Sequence, residues 1–201
     1  MTSSRGLGDV YKRQALKLIN QNRQILKLEP INLDNLPLDD SKTYQLLQKG
    51  LTTAVFQLES RGIKEYIVKL KPNNFEDIIT LIALYRPGPL EMNMVETYIE
   101  RKHGREEFSY GDESVEKILD KTHGVIVYQE QVMQLAQEFS GFTLGEADIL
   151  RRAMGKKIAS EMEEQKEPFI TGAIEKGKNK RFAEGLFCLL YTSPSPRDDV
   201  I

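Results

Sequence analysis

The chain has 201 residues, 40% hydrophobic and 29% charged, with 28 basic against 30 acidic side chains and a net charge of −2. That is the composition of a globular domain or of a piece of a larger globular protein, and its near-neutral balance excludes a dedicated nucleic-acid coat protein while leaving room for a local basic face. The single cysteine, Cys188, excludes a disulfide framework and a cysteine metal cluster and points to a reducing compartment, and no apolar run approaches the ~20 residues of a membrane span.

In chain order, residues 1–14 (MTSSRGLGDVYKRQ) carry no helical or strand period, and both this tail and residues 188–201 resemble translated sequencing-adapter sequence. They are set aside as non-native-looking. Segment 15–50 is expected to be helical: apolar residues from Ala15 to Leu28 suit a helix packed on one side, a loop follows, and Asp40 caps a short helix to Leu47 that Gly50 ends. Residues 51–187 form the main expected domain. TTAVFQL (52–58) is β-branched and aromatic and predicts a short strand. Ser60 opens a helix that Pro72 terminates, and Asn74 caps the most apolar helix, FEDIITLIALY. Arg86-Pro87-Gly88-Pro89 predicts a rigid loop, and Leu90 to His103 a helix stopped by Gly104. A short helix is expected over 114–122, a buried strand over 124–128 (GVIVY), and a helix from Gln129 to Phe139.

Gly141 to Lys157 (GFTLGEADILRRAMGKK) reads as a helix with its own punctuation. Thr143 and Glu146 fit a capping box, and Gly155 a stop. Leu144, Ala147, Ile149 and Leu150 supply apolar contacts, and Asp148 fits a pairing with its arginine neighbours. Arg151, Arg152, Lys156 and Lys157 put four cations at or just past the helix end. Cations favour a helix C-terminus. Adjacent arginines, however, point about 100° apart, and a polyanion across that end would use both. Ser160 with Glu163 suggests a second capping box, opening a polar helix to about Lys176. The resulting fold class is mostly α with minor β.

The chain shows no phosphate loop, no GxGxxG, no HExxH and only two histidines, His103 and His123. What remains are segments suited to anions. Ser60 and Arg61 sit at a helix start, where free N–H groups favour phosphate, though Ser60 reads equally as a plain N-cap. Arg86 is either a helix-end cation or a guanidinium positioned by its rigid loop. Arg101, Lys102 and His103 fit a solvated face or a track along a nucleic-acid backbone. Arg151 and Arg152, with Lys156 and Lys157, are the strongest candidates, because guanidinium forks bind phosphate oxygens bidentately. Tyr128 to Gln131 could face a base or sugar, or be an ordinary polar helix start.

The residues TTAVFQLESRGIK (52–64), ALYRPGPLE (83–91), YIERKHGREE (98–107), THGVIVYQEQVMQLAQEFSGFTLGEADILRRAMGKK (122–157) and FITGAIEKG (169–177) resemble the alpha subunit of bacterial DNA polymerase III, the C-family of replicative DNA polymerases. The similarity is collinear from about Ala15 to Lys178. It implies the end of the palm and most of the fingers, truncated at both ends, from a cytoplasmic DNA-directed DNA polymerase. By resemblance, Ser60, Arg61, Arg86, Arg151, Arg152 and Lys156 would contact the dNTP triphosphate or the template backbone; Arg101, Lys102, His103 and Lys157 would be possible DNA-backbone contacts. The family's palm holds two Mg²⁺ ions on three aspartates, the last of which would fall just before Ala15, so no residue here is assigned as a metal ligand and the chain alone is expected to be inactive. Implied partners are primer–template DNA, the rest of the polymerase chain, a sliding clamp, and proofreading and clamp-loader subunits. One departure is Gly145-Glu146, where the family usually has Gly-Gly; it adds a carboxylate a turn before the arginines. The alternative is a non-enzymatic helical module that grips nucleic acid or protein.

Overall fold

The computed structural model describes residues 3–156 and 158–193, and the chain divides into two compact units between Leu38 and Asp39. In the first unit, helix α1 spans Ser3–Ile25 and so takes in most of the segment that showed no periodicity. Lys27 adopts a left-handed conformation just past its end, and Leu28 N–H donates to Arg23 O at 2.8 Å. Asn20 then holds the returning chain by exchanging two hydrogen bonds with the Ile31 backbone, at 2.9 and 2.7 Å.

The second unit opens with α2 (Ser41–Gln48), α3 (Arg61–Leu70), α4 (Phe75–Leu84), α5 (Pro87–Glu91) and α6 (Met94–Lys102) around one hydrophobic core. The sequence dictates their faces. Ile63, Ile67 and Leu70 recur at helical spacing, as do Ile78, Leu81 and Leu84, and all are buried. Asp40 caps α2 through Thr43 N–H at 2.8 Å. Asn74 and Asp77 form a reciprocal capping box on α4. The expected loop at Pro87-Gly88-Pro89 is instead the first turn of α5, where a missing proline N–H costs nothing. The single helix expected from Leu90 breaks at Asn93, whose φ of 55° starts a new helix.

A second core is built by α7 (Glu113–Leu119), α8 (Gln129–Ser140), α9 (Leu144–Lys156), α10 (Ala159–Glu175) and α11 (Lys180–Thr192). Phe169 sits at its centre, with ring centroids of Phe139, Phe142 and Phe187 at 5.9, 6.0 and 5.4 Å. Gly172 lets α10 press on the end of α8; a Cβ there would lie 2.1 Å from Ser140 O. The capping box expected at Ser160 is not formed, since α10 starts two residues earlier with Ile158 at the N-cap. Helix α11 covers residues 188–192, and Leu190 is fully buried.

Neither expected strand forms among the described residues. Residues 52–58 make two successive tight turns, with Val55 N–H donating to Thr52 O and Leu58 N–H to Val55 O. Ala54 and Gln57 both carry positive φ, 63° and 62°, at the third position of each turn. That conformation costs a residue with a Cβ about 1–2 kcal/mol, so propensity is overridden. Within the GVIVY segment Val125, Ile126 and Val127 are buried outside any helix or strand, Val125 and Val127 in the first core and Ile126 in the second. Two of its N–H groups are satisfied without a neighbouring strand: Gln131 Oε1 accepts from Val127 N–H at 2.8 Å and from Tyr128 N–H at 3.0 Å.

Candidate functional site

Helix α9 is set by its ends and its buried stripe. Thr143 N–H donates to Glu146 Oε2 at 2.8 Å, and Glu146 N–H donates back to Thr143 Oγ1 at 3.3 Å, as the capping-box reading requires. These bonds hold the Glu146 carboxyl below its ordinary range, led by the Thr143 backbone. The helix buries Ala147, Leu150, Ala153 and Met154 in the second core. Leu144 and Ile149, expected to contribute apolar contacts, are exposed instead. Gly155 does not stop the helix, which continues to Lys156.

The face left outside carries Asp148 with Arg151 and Arg152, three and four residues on. Both spacings bring side chains together on a helix. Arg151 donates from Nε and Nη2 to Asp148 Oδ1 at 2.9 and 2.6 Å, and from Nη1 to Gln129 Oε1 at 3.1 Å. Arg152 Nη2 lies 2.5 Å from Asp148 Oδ2. Bonding from Arg151 first, and Arg152 after it, holds the Asp148 carboxyl below the usual aspartate value. One carboxylate thus orders two guanidiniums. They are not equivalent: Arg151 is 15% exposed and braced from two sides, while Arg152 is 61% exposed. Both line a cavity of about 450 Å³ with Gly155 and Lys156. Three cations there face one carboxylate, so the rim stays positive and keeps donors for an anion. Lys157 lies outside the described residues.

Ser60 and Arg61 start α3 at a different corner, and Arg86 is the N-cap of α5, next to Tyr85. Ser60 occupies the N-cap of α3 with no side-chain capping bond. Arg61 is 95% exposed and pairs with Glu65 at 3.1 Å. A Cβ on Gly62 would fall 2.2 Å from Tyr85 Oη, so the corner that bears Arg86 abuts the first turn of α3. Tyr85 also packs edge-on against Tyr66, whose hydroxyl donates to Glu96 at 2.6 Å and is pushed up to about 12 by that bond and by burial. Arg61 lines a separate cavity from the one at α9.

Arg101, Lys102 and His103 make internal contacts. Arg101 bonds Glu106 at 2.7 Å and stacks 4.6 Å from the Phe108 ring centre. Lys102 reaches back to Asp77, with 10% and 2% of the two side chains exposed, and to Asn73 Oδ1 at 3.2 Å. A His103 ring nitrogen lies 3.2 Å from Lys69 O. Sequence reasoning missed the bond from Arg151 to Gln129 and the Gly62–Tyr85 approach, because both depend on partners far away in the chain. The pairing of Asp148 was readable from helix spacing. Among the described residues, no group of three or more His, Cys, Asp or Glu side chains is placed to hold a metal ion, so these residues do not fit a two-metal centre.

These features define a helical domain that gathers Arg151, Arg152 and Lys156 around one cavity toward the end of α9. The family model described as the bacterial DNA polymerase III alpha subunit finger domain matches residues 12–177. The chain is 52% identical over 181 residues to DNA polymerase III subunit alpha of Escherichia coli K12, covering 88% of this chain and 16% of that protein. It is 53% identical to the Pseudomonas aeruginosa PAO1 protein of the same name, covering 88% of this chain and 15% of that protein. Against the Aquifex aeolicus protein it is 59% identical over 147 residues, covering 73% of this chain and 13% of that one. The chain belongs to the finger-domain family of the bacterial DNA polymerase III alpha subunit. It spans 13–16% of the length of these relatives.

Proposed function

We propose that this segment serves as the fingers of a DNA-directed DNA polymerase in bacterial replication and grips the triphosphate of the incoming dNTP. The observation that carries the reading is the shared clamp on Asp148, which holds two arginines that line one cavity together with Lys156. Arg152 is the exposed gripping group, Arg151 the braced one, and Lys156 adds a point charge. Ser60, Arg61 and Arg86 serve the phosphates of the nucleotide or of the template strand. In this reading Mg²⁺ is bound by carboxylates elsewhere in the longer polymerase chain, and no step is routed through it here. The implied setting is the cytoplasm, with primer–template DNA, the remaining polymerase chain, a sliding clamp, and proofreading and clamp-loader subunits as partners; among the described residues no helix is long and apolar enough to cross a membrane.

The test is primer extension. The complete polymerase carrying Arg151→Ala and Arg152→Ala is expected to lose roughly 10²-fold or more in kcat/KM for dNTP, since hydrogen bonds to charged groups contribute about 1.5–3 kcal/mol each. The 201-residue chain alone is expected to show no extension. Wild-type kcat/KM in the double variant, or extension by the isolated chain, refutes the reading.

A further inference from the structure

The segment between α2 and α3 displays an aromatic ring that the core does not claim. Phe56 is 85% exposed, the most exposed of the large apolar side chains among the described residues, beside a half-open Val55. Ordinary loops let such a ring fold down onto a neighbour. Here hydrogen bonds fix the backbone on both sides of the ring. Phe56 sits at the second position of the second of two linked turns, between Ala54 and Gln57, both held at positive φ. Thr52, fully buried, ties the two ends of the loop by donating from Oγ1 to Leu58 O. Lys64 Nζ donates to Thr53 Oγ1 at 3.0 Å, and Ala54 N–H donates to Glu59 Oε2 at 3.3 Å. The ring is therefore held outward on a braced scaffold, at a conformational cost that needs a return.

Of the residues that brace the loop, Glu59 and Lys64 also line a groove of about 600 Å³ along α3. Its charged lining comprises Lys49, Arg61, Lys64 and Lys69 against Glu59 and Glu65. Glu65 is paired with Arg61, and Glu59 is turned to the Ala54 N–H. The surplus is positive. A rigid exposed aromatic beside a cationic groove is the arrangement that binds single-stranded nucleic acid, in which a base stacks on the ring while lysines and arginines follow the phosphates.

We propose that the 52–59 loop and the α3 groove form a site for single-stranded DNA, with Phe56 as the base-stacking platform and Lys49, Arg61, Lys64 and Lys69 as the phosphate track. This goes beyond the dNTP reading above and does not need the α9 arginines. An apolar protein partner would cover Phe56 just as well, but would have no use for the positive surplus in the groove along α3.

The test uses the 201-residue chain and a labelled fifteen-nucleotide oligothymidine, with fluorescence anisotropy as the readout. Phe56→Ala is expected to weaken binding roughly 5- to 100-fold, and Phe56→Trp to preserve it. An abasic strand of the same length has phosphates and no base, so Phe56→Ala is expected to bind it as the wild type does. Lys49→Ala with Lys64→Ala is expected to lower the slope of log affinity against log salt by about 1.4, at about 0.7 per phosphate on a single strand. Unchanged oligothymidine affinity in Phe56→Ala, or an equal loss on the abasic strand, overturns the proposal. The Phe56 effect is expected to persist in a chain carrying Arg151→Ala and Arg152→Ala. Its disappearance there would show that the site is not separate.

Discussion

Replacing Lys102 by methionine separates two roles that its sequence context left open. The side chain has almost the length of lysine, so packing along α6 is kept and the charge alone is removed. Asp77 is 2% exposed and receives Lys102 Nζ, Tyr98 Oη at 3.2 Å, and the N–H groups of Asn73 and Asn74 at 3.0 and 3.4 Å. Breaking a buried ion pair by deleting one partner costs about 3–5 kcal/mol, because the remaining charge is uncompensated. Asp77 keeps three donors, which places the expected loss near the lower figure, about 3 kcal/mol. For a domain of this size that corresponds to a fall in Tm of roughly 6–12 °C. Thermal melts followed by far-UV circular dichroism read the change directly. The double variant Lys102→Met, Asp77→Asn should recover part of it, since no lone charge is left buried. A variant that melts within about 1 °C of wild type, yet binds primer–template DNA more weakly, would refute the structural role and return Lys102 to the DNA surface.

Two glycines make opposite predictions. Gly172→Ala would drive a Cβ to 2.1 Å from the Ser140 carbonyl, a backbone atom that cannot rotate away, and is expected to destabilise by about 1–3 kcal/mol. Gly145→Ala meets nothing within 4 Å and is expected to stabilise α9 by up to about 1 kcal/mol; urea midpoints for the pair check both signs. Asp148 supplies a pH prediction. Its folded pKa lies below the ordinary 3.8, so its bonds to Arg151 and Arg152 are fully present above that value and are lost only as pH falls through the lower folded one. A carbon-detected titration of the Asp148 carboxyl should have its midpoint below 3.8, and a midpoint at or above 3.8 contradicts the shared clamp.

What could be read from the sequence was what local physics fixes. Asn74 as the cap of α4, and Thr143 with Glu146 as a capping box, are settled within three residues of chain, and both form. Asp148 bridges two arginines for the same reason, since helix spacing alone places the three groups side by side. Reading failed where a distant partner decides. The TTAVFQL stretch has strand propensity, but Thr52 is recruited by Leu58 O and the chain turns twice. The GVIVY stretch has a strand's alternation without a neighbour, because two cores flank it and Gln131 takes two of its N–H groups. Lys102 looked like part of a surface charge run until α4 supplied Asp77, 25 residues away in sequence. Gly155 did not end α9, since a glycine can remain in a helix at a cost of about 1 kcal/mol. For the candidate site, the cations were visible and their bracing was not: Gln129 gave no signal that it would hold Arg151.

The measurement that bears most directly on the central claim is a ladder of nucleotide affinities. The complete polymerase, stalled on a dideoxy-terminated primer–template, is titrated with the complementary nucleoside mono-, di- and triphosphate, with and without Arg151→Ala, Arg152→Ala. If the paired guanidiniums hold the polyphosphate, wild-type affinity rises with each phosphate. The double variant then loses roughly 10²-fold at the triphosphate and little at the monophosphate. An equal loss at all three nucleotides, or none at any, would contradict the account.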